Sequence, residues 1–401
     1  MDERIAQNVA GTLAKAFPEI MSLDAQPLTS INEMDLLSDR DEKLLQGSNT
    51  RYPAAIECCI HELIAAQAQA TPDAEAISSW DGSLTYRELE VLSTRLAEFL
   101  NREYPEHTGP ETAVGVCFEK SFAAVVAELA VLKTGSAFVP LDGDHPTDRL
   151  TTIIGIAEIS LVLASPQWTV RLQGLSDVVV SVPTSKTTMV ADIGSTTELP
   201  RPIAPLSDVT PDNAAFILFT SGSTGQPKAV VQPHGAICTL FKSHAKALHV
   251  DSSCRVLQFA AYTFDVSTMD IFTTLMQGGC LCIPNEHDRR TNLADFIQQM
   301  KVNWADLTAT VANLLWPQQV PTLKTLVLAG EAVQDEHLER WFGHVRLINC
   351  YGPVESGNCT AYKFQDRHAK PAATIGYAMD GARCWIVNPQ NPDRLASVGG
   401  R

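Results

Sequence analysis

Apolar and polar positions recur along the chain with two periods. Leu89, Leu92, Leu96 and Leu100 repeat every three or four residues, which predicts a helix with one buried stripe. Thr85 stands before it as an N-cap, and Glu88 three residues later completes a capping box. Ile56, Ile60, Leu63 and Ile64 predict another helix between Pro53 and Pro72. Short unbroken apolar runs at Val114–Phe118, Ala137–Leu141, Leu161–Ala164 and Val178–Val182 read as buried strands, with helices predicted at Ala123–Thr134, closed by Gly135, and at Leu150–Ile156. Ala74–Trp80 with the turn Asp81-Gly82 predicts a hairpin.

The alternation continues downstream. Helices are predicted at Ala236–Ala247, Thr268–Met276 and Asn292–Met300, and strands at Arg255–Phe259 and Cys280–Ile283. Segments at Asp306–Leu315, Thr325–Leu328, Glu336–Phe342 and Val345–Asn349 follow, then a β-rich stretch from Ala373 to Val387. Strands interleaved with helices imply an α/β fold with mostly parallel sheets covered by helices. The first 50 residues are polar and mixed: an amphipathic helix at Ile5–Phe17, then an extended linker that ends in a helix cap at Ser38 or Asp39.

At 401 residues and 45% hydrophobic content, with a mean hydropathy of −0.01, the chain has material for a large core. Its formal charge of −16 argues against nucleic-acid or anionic-membrane surfaces. No apolar run approaches a membrane span, and Met1-Asp2-Glu3-Arg4 does not open a signal peptide, so a cytoplasmic location is expected. Ten scattered cysteines without a CxxC pair read as reduced thiols, and no metal held by protein ligands alone is expected.

One stretch changes the picture. Ala214–Phe219 and Ala229–Val231 flank Thr220-Ser-Gly-Ser-Thr-Gly-Gln-Pro-Lys228, a loop of hydroxyls and glycines that closes on a lysine. Gly222 and Gly225 let backbone approach an anion, while Ser221, Ser223, Thr224 and Lys228 supply donors, so the chemistry suits a polyphosphate. The spacing is not that of a P-loop. The stretch resembles the Ser/Thr/Gly-rich signature of adenylate-forming enzymes.

Other motifs fall in matching order. Leu84-Thr-Tyr-Arg-Glu-Leu89, Leu132-Lys-Thr-Gly-Ser-Ala-Phe-Val-Pro-Leu-Asp142, the phosphate loop, Phe264-Asp-Val-Ser267 and Asn349-Cys-Tyr-Gly-Pro-Val-Glu355 together resemble the successive core motifs of a nonribosomal peptide synthetase adenylation domain over about residues 50–390. The resemblance implies an acyl-CoA synthetase/luciferase-like fold and activation of an amino acid as aminoacyl-AMP, with loading onto the phosphopantetheine thiol of a carrier domain. By similarity, Thr220, Ser221, Gly222, Ser223, Thr224, Gly225 and Lys228 embrace the phosphates of ATP. Gly330, Glu331, Ala332, Tyr351 and Gly352 flank the adenine, Glu355 holds Mg²⁺, and Lys228 and Glu355 carry catalysis. Asp265 pairs with the substrate's α-ammonium. Val266, Met269, Asp306, Val327, Ala329, Cys350, Asn358 and Cys359 line the side-chain pocket, and Asp306 there favours a basic or polar substrate.

Two departures stand out. Val354 occupies the place of a threonine hydroxyl that would bond the AMP phosphate, a loss of roughly 1–3 kcal/mol if nothing replaces it. The sequence ends at Val398-Gly-Gly-Arg401, before the family's ribose-binding aspartate and lysine-bearing subdomain, so residues 51–401 are expected to form the large N-terminal subdomain, binding substrates but turning over poorly. Residues 1–50 resemble the linker after a condensation-type domain. Two rivals stay open: an acyl-CoA or aryl-acid ligase, for which Asp265 would have no use, and a degenerate binding module.

Overall fold

The computed structural model describes residues 3–22, 37–49, 53–193, 208–221, 226–368, 372–388 and 391–395. The chain forms two compact units, one of residues 54–376 and one of residues 1–53 with 377–401.

In the larger unit the strands are β1 (Glu75–Ser79), β2 (Gly82–Thr85), β3 (Ala113–Cys117), β4 (Ala137–Pro140), β5 (Leu161–Ala164), β6 (Val178–Ser181), β7 (Ala214–Ser221) and β8 (Pro227–Pro233), followed by β9 (Arg255–Leu257), β10 (Cys280–Ile283), β11 (Trp304–Leu307), β12 (Thr325–Leu328), β13 (Arg346–Tyr351) and β14 (Thr360–Lys363). They build two sheets. One runs β14-β13-β12-β11-β9-β10-β1-β2, the other β6-β5-β3-β4-β7-β8. Both are parallel inside and antiparallel only at the outer pairs β13/β14, β1/β2 and β7/β8. The predicted mostly parallel α/β fold is the observed one.

The helix Phe122–Thr134 explains how the sheets share a core. Every one of its residues is buried, so it lacks a polar face and must be covered all round. Its largest cluster joins Ile77 and Leu281 of the first sheet to Val114, Leu161 and Phe216 of the second. Ser121 caps its start through the Ala124 amide, and Gly135 closes it at φ 89°, a left-handed turn that favours glycine. Lys133, which that burial would leave stranded, pairs with Glu90 at 2.8 Å on the helix Tyr86–Glu103. That neighbouring helix opens with the predicted capping box, Thr85 with Glu88, and buries Leu89, Leu92, Leu96 and Leu100.

Three local expectations are corrected. The helix predicted from Pro53 begins at Ile60, because Cys59 takes the N-cap position and its amide donates to Glu62 Oε2 at 2.7 Å. The segment Thr268–Met276 is not one regular helix: Asp265–Thr268 and Thr274–Met276 are α-helical, and Met269–Thr273 between them is a π-turn. The stretch from Ala373 to Val387 is mostly irregular among the described residues, with left-handed breaks at Gly376 and Gly381 and only Tyr377–Ala378 and the strand starting at Val387 extended.

In the smaller unit, the helix Glu3–Ser22 runs past the predicted Ile5–Phe17 at both ends, and the helix Asp39–Ser48 starts at the predicted cap, Ser38, which accepts from the Asp41 amide. Asn49 bonds the Cys384 backbone twice, and Val387–Asn388 pairs with Asn391–Leu395. The predicted linker before Ser38 falls largely outside the described residues. Among the described residues, no helix is long and apolar enough to cross a membrane.

Candidate functional site

The phosphate-loop lysine lies on a hairpin. β7 and β8 pair antiparallel, with Thr220 opposite Lys228 and Ser221 opposite Pro227. Gly222, Ser223, Thr224 and Gly225 lie outside the described residues. From β8, Lys228 Nζ reaches Glu355 Oε1 at 3.1 Å, across 127 positions of sequence. A second bond, Gln232 Nε2 to the Val354 carbonyl at 2.8 Å, fastens the same turn to the same strand. Both partners of the ion pair are substantially open to solvent, 63% for Lys228 and 47% for Glu355. The Glu355 carboxyl is held below its ordinary value by its own backbone N–H and then by the Lys228 ammonium. The turn requires glycine at its base: a Cβ on Gly352 would stand 1.8 Å from the Gly357 carbonyl oxygen.

Next to this turn two parallel strands end side by side. Leu328 of β12 pairs with Asn349 of β13, so Gly330 and Tyr351 emerge together at the carboxyl edge, where open α/β sheets place their ligands. Tyr351 is 52% exposed, with an aromatic face available for stacking. Gly330, at φ +78°, turns the chain away from β12, and Glu331 and Ala332 are exposed beyond it. Glu331 already accepts from the Thr310 amide at 2.8 Å, near the start of the short helix Ala309–Ala312.

The residues expected to line the side-chain pocket are placed by strand alternation. Side chains two apart share a sheet face, so Trp304 and Asp306 of β11, Val327 and the following Ala329, and Ile348 and Cys350 of β13 all face one way. On that face Trp304, Val327, Ala329, Ile348 and Cys350 pack against Ala245 and Leu248 of the helix His234–Leu248. Asp306 is 4% exposed, and Ala305 and Leu307 on the other face of β11 are buried too. Burial pushes its carboxyl up to about 8, and the Asp265 carboxylate adds to the effect.

Asp265 opens the helix Asp265–Thr268, and its Oδ1 accepts from the Val266 amide at 2.9 Å. Phe264, not Asp265, holds the N-cap position. Burial raises the Asp265 carboxyl too, and the Glu355 carboxylate raises it further, so Asp265 and Glu355 lie within electrostatic reach of one another. Val266 is half-buried against the main core, and Met269 is buried on the π-turn. Asn358 is buried with its carbonyl accepting from His244 Nε2 at 2.9 Å, and half-buried Cys359 donates through Sγ to the Tyr351 carbonyl at 3.4 Å.

Sequence reading passed over His244, Asp270 and Thr273. All three line one cavity with Met269 and Asp306. Asp270 carried a detectable signal, a lone charge inside the apolar run Met269–Phe272; His244 and Thr273 carried none.

A sequence profile of the family described as AMP-binding enzyme matches residues 64–399. The nonribosomal peptide synthetase atnA of Emericella nidulans is 44% identical over 378 residues, 94% of this chain and 5% of that protein. The nonribosomal peptide synthetase apmB of Penicillium brevicompactum is 39% identical over 98% of this chain and 16% of its own length. The chain thus spans a small part of these relatives. Among solved structures, the AMPPNP-bound form of the nonribosomal peptide synthetase FmoA3 superposes with a TM-score of 0.80 at 22% identity, over 96% of this chain and 42% of that one. VinN in complex with L-aspartate superposes with a TM-score of 0.68 at 21% identity, over 82% of this chain and 83% of that one. These two likenesses concern the fold.

Proposed function

We propose, from the premise that the chain belongs to the AMP-binding enzyme family as a nonribosomal peptide synthetase adenylation domain, that it selects one amino acid and activates it with ATP for transfer to a carrier-protein thiol. In the first step a carboxylate oxygen attacks the α-phosphorus, the α–β phosphoanhydride bond breaks and pyrophosphate leaves. In the second the thiol, losing its proton, attacks the acyl carbon, and AMP leaves.

Reactions at phosphorus ask the protein mainly for position and charge. Lys228 and the loop Thr220–Gly225 hold the polyphosphate, and Tyr351, with Gly330, Glu331, Ala332 and Gly352, borders the adenine. Glu355 fits a magnesium ligand because its carboxylate is solvent-accessible and ionised beside Lys228. Mg²⁺ there would neutralise phosphate charge. Asp265 receives the α-ammonium, and Val266, Met269, Asp306, Val327, Ala329, Cys350, Asn358 and Cys359 border the side chain, with Asp306 favouring a basic or polar one. Residues 51–401 form the activating core and residues 1–50 the linker to a condensation-type domain, within a cytoplasmic synthetase.

The observation that carries this reading is the contact of Lys228 with Glu355, drawn from two separate motifs, with the Glu355 charge felt at Asp265 of a third. The test is thermal stability of the chain with ATP·Mg²⁺ against a panel of amino acids, since a ligand that binds only the native state raises its melting temperature. Stabilisation by ATP·Mg²⁺ together with one amino acid is expected. A chain unmoved by ATP and by every amino acid would favour the degenerate binding module.

A further inference from the structure

The cavity behind Asp306 has an unusual polar inventory. Its polar lining consists of His244, Asp270, Thr273, Thr274, Trp304 and Asp306. The donors are nearly all used: His244 Nε2–H on the Asn358 carbonyl at 2.9 Å, Trp304 Nε1–H on the Leu248 carbonyl at 2.9 Å, and Thr274 Oγ1–H on the Asp270 carbonyl at 2.5 Å. The acceptors are not. With Nε2 donating, neutral His244 presents a bare lone pair at Nδ1, and that atom has no partner; nor has Asp270 Oδ2. Thr273 Oγ1 is unpartnered as well and can serve either way. His244 is 1% exposed, Asp270 3% and Thr273 4%, so these atoms have no bulk water to satisfy them. Buried acceptors without donors are costly, and such an arrangement persists where a ligand supplies the donors.

The π-turn makes this possible. It sets Met269, Asp270 and Thr273 along one wall, and π-turns inside helices recur at functional sites. Met269 and Asp306 belong both to this recess and to the proposed amino-acid pocket, so the recess continues that pocket inward. Val256 and Met269 add apolar lining suited to methylenes, and the recess as a whole has room for a group about the size of one water molecule.

We propose that the amino-acid pocket ends in this recess, walled by Asp270 and His244 as well as Asp306, and that it selects an aliphatic side chain terminating in a primary ammonium. The inference rests on the amino-acid-activating reading above and adds the substrate class and two specificity-determining residues. An ammonium offers three donors and no acceptor, which matches the lining. A guanidinium is planar and too wide for the space, and a carboxylate would leave His244 Nδ1 and Asp270 Oδ2 without a donor.

The experiment is calorimetric titration of the chain, with ATP·Mg²⁺ present, by L-lysine, L-ornithine, L-arginine and L-norleucine. Either ω-ammonium amino acid is expected to bind at least tenfold more tightly than arginine and norleucine. In Asp270→Asn that preference falls at least tenfold, while ATP·Mg²⁺ affinity is unchanged. Norleucine binding as tightly as lysine and ornithine overturns the recess but leaves amino-acid activation standing, as does an Asp270→Asn chain that keeps the full preference. Failure of every amino acid overturns both. The wild-type comparison decides by itself if Asp270→Asn does not fold.

Discussion

The two ends of the candidate site use opposite physics. At the phosphate end, Lys228 and Glu355 meet in the open, both about half or more exposed. At the proposed amino-acid end, Asp306 and Asp270 are 4% and 3% exposed in a recess of mixed polar and apolar lining. Exposed charges can exchange water for phosphate and metal at low cost, and solvent screens their mutual attraction. Buried acceptors are in debt until a donor arrives, so discrimination there is sharp and stability suffers without ligand. The proposed activity, with one common nucleotide and one chosen amino acid, would give reason to divide the chemistry in this way.

Substitutions separate the two ends. The largest effect is expected from Asp265→Ala. Removing the carboxylate proposed to meet the α-ammonium should cost about 3 kcal/mol, roughly a hundredfold in amino-acid affinity, whereas titration with ATP·Mg²⁺ alone should be unchanged. Equal loss of both ligands would show that the ends are not separable.

Glu355→Gln should weaken ATP·Mg²⁺ by about tenfold, as loss of one charge-assisted contact does. The unliganded melting temperature should barely move, because the ion pair with Lys228 is solvent-exposed. A large drop in melting temperature would instead make that pair structural.

Asp306→Asn should do the reverse and stabilise the unliganded chain. The native carboxyl keeps its proton up to about pH 8. The unfolded one releases its proton near pH 4, so between those values the folded state binds more protons and loses stability as pH rises. Asparagine does not titrate. The melting-temperature gap between Asp306→Asn and the parent should therefore widen from pH 5 to pH 8, and a gap constant with pH would place Asp306 in a wetter setting than its burial implies. The smallest effect is reserved for Val354→Thr, which returns a hydroxyl beside Glu355 and should tighten nucleotide binding only a few-fold, about 1 kcal/mol for one neutral hydrogen bond.

Legibility in the sequence followed the range of the forces. The capping box at Thr85 and Glu88 and the glycine stop at Gly135 act within a few residues, and both were readable. The start of the helix at Ile60 was misread because the apolar period extends back to Ile56, while the Glu62 bond to the Cys59 amide sets the boundary. The π-turn at Met269–Thr273 was invisible, since apolar spacing does not register a single widened turn. Lys228, Asp265 and Glu355 stand out in the sequence because each lies in a motif of fixed order, and the structure brings Lys228 and Glu355 into contact.

What the sequence determined by itself is the alternation of strands and helices, the α/β class and the identity of the polar groups offered at the loop, at Asp265 and at Glu355. Those depend on period, caps and residue chemistry, all local. Only the tertiary structure decided that β11 turns Asp306 inward, and that the helix His234–Leu248 sets His244 into the same recess as Asp270. Register and burial are settled by packing between segments far apart in the chain, and burial is what leaves Asp270 Oδ2 without a partner.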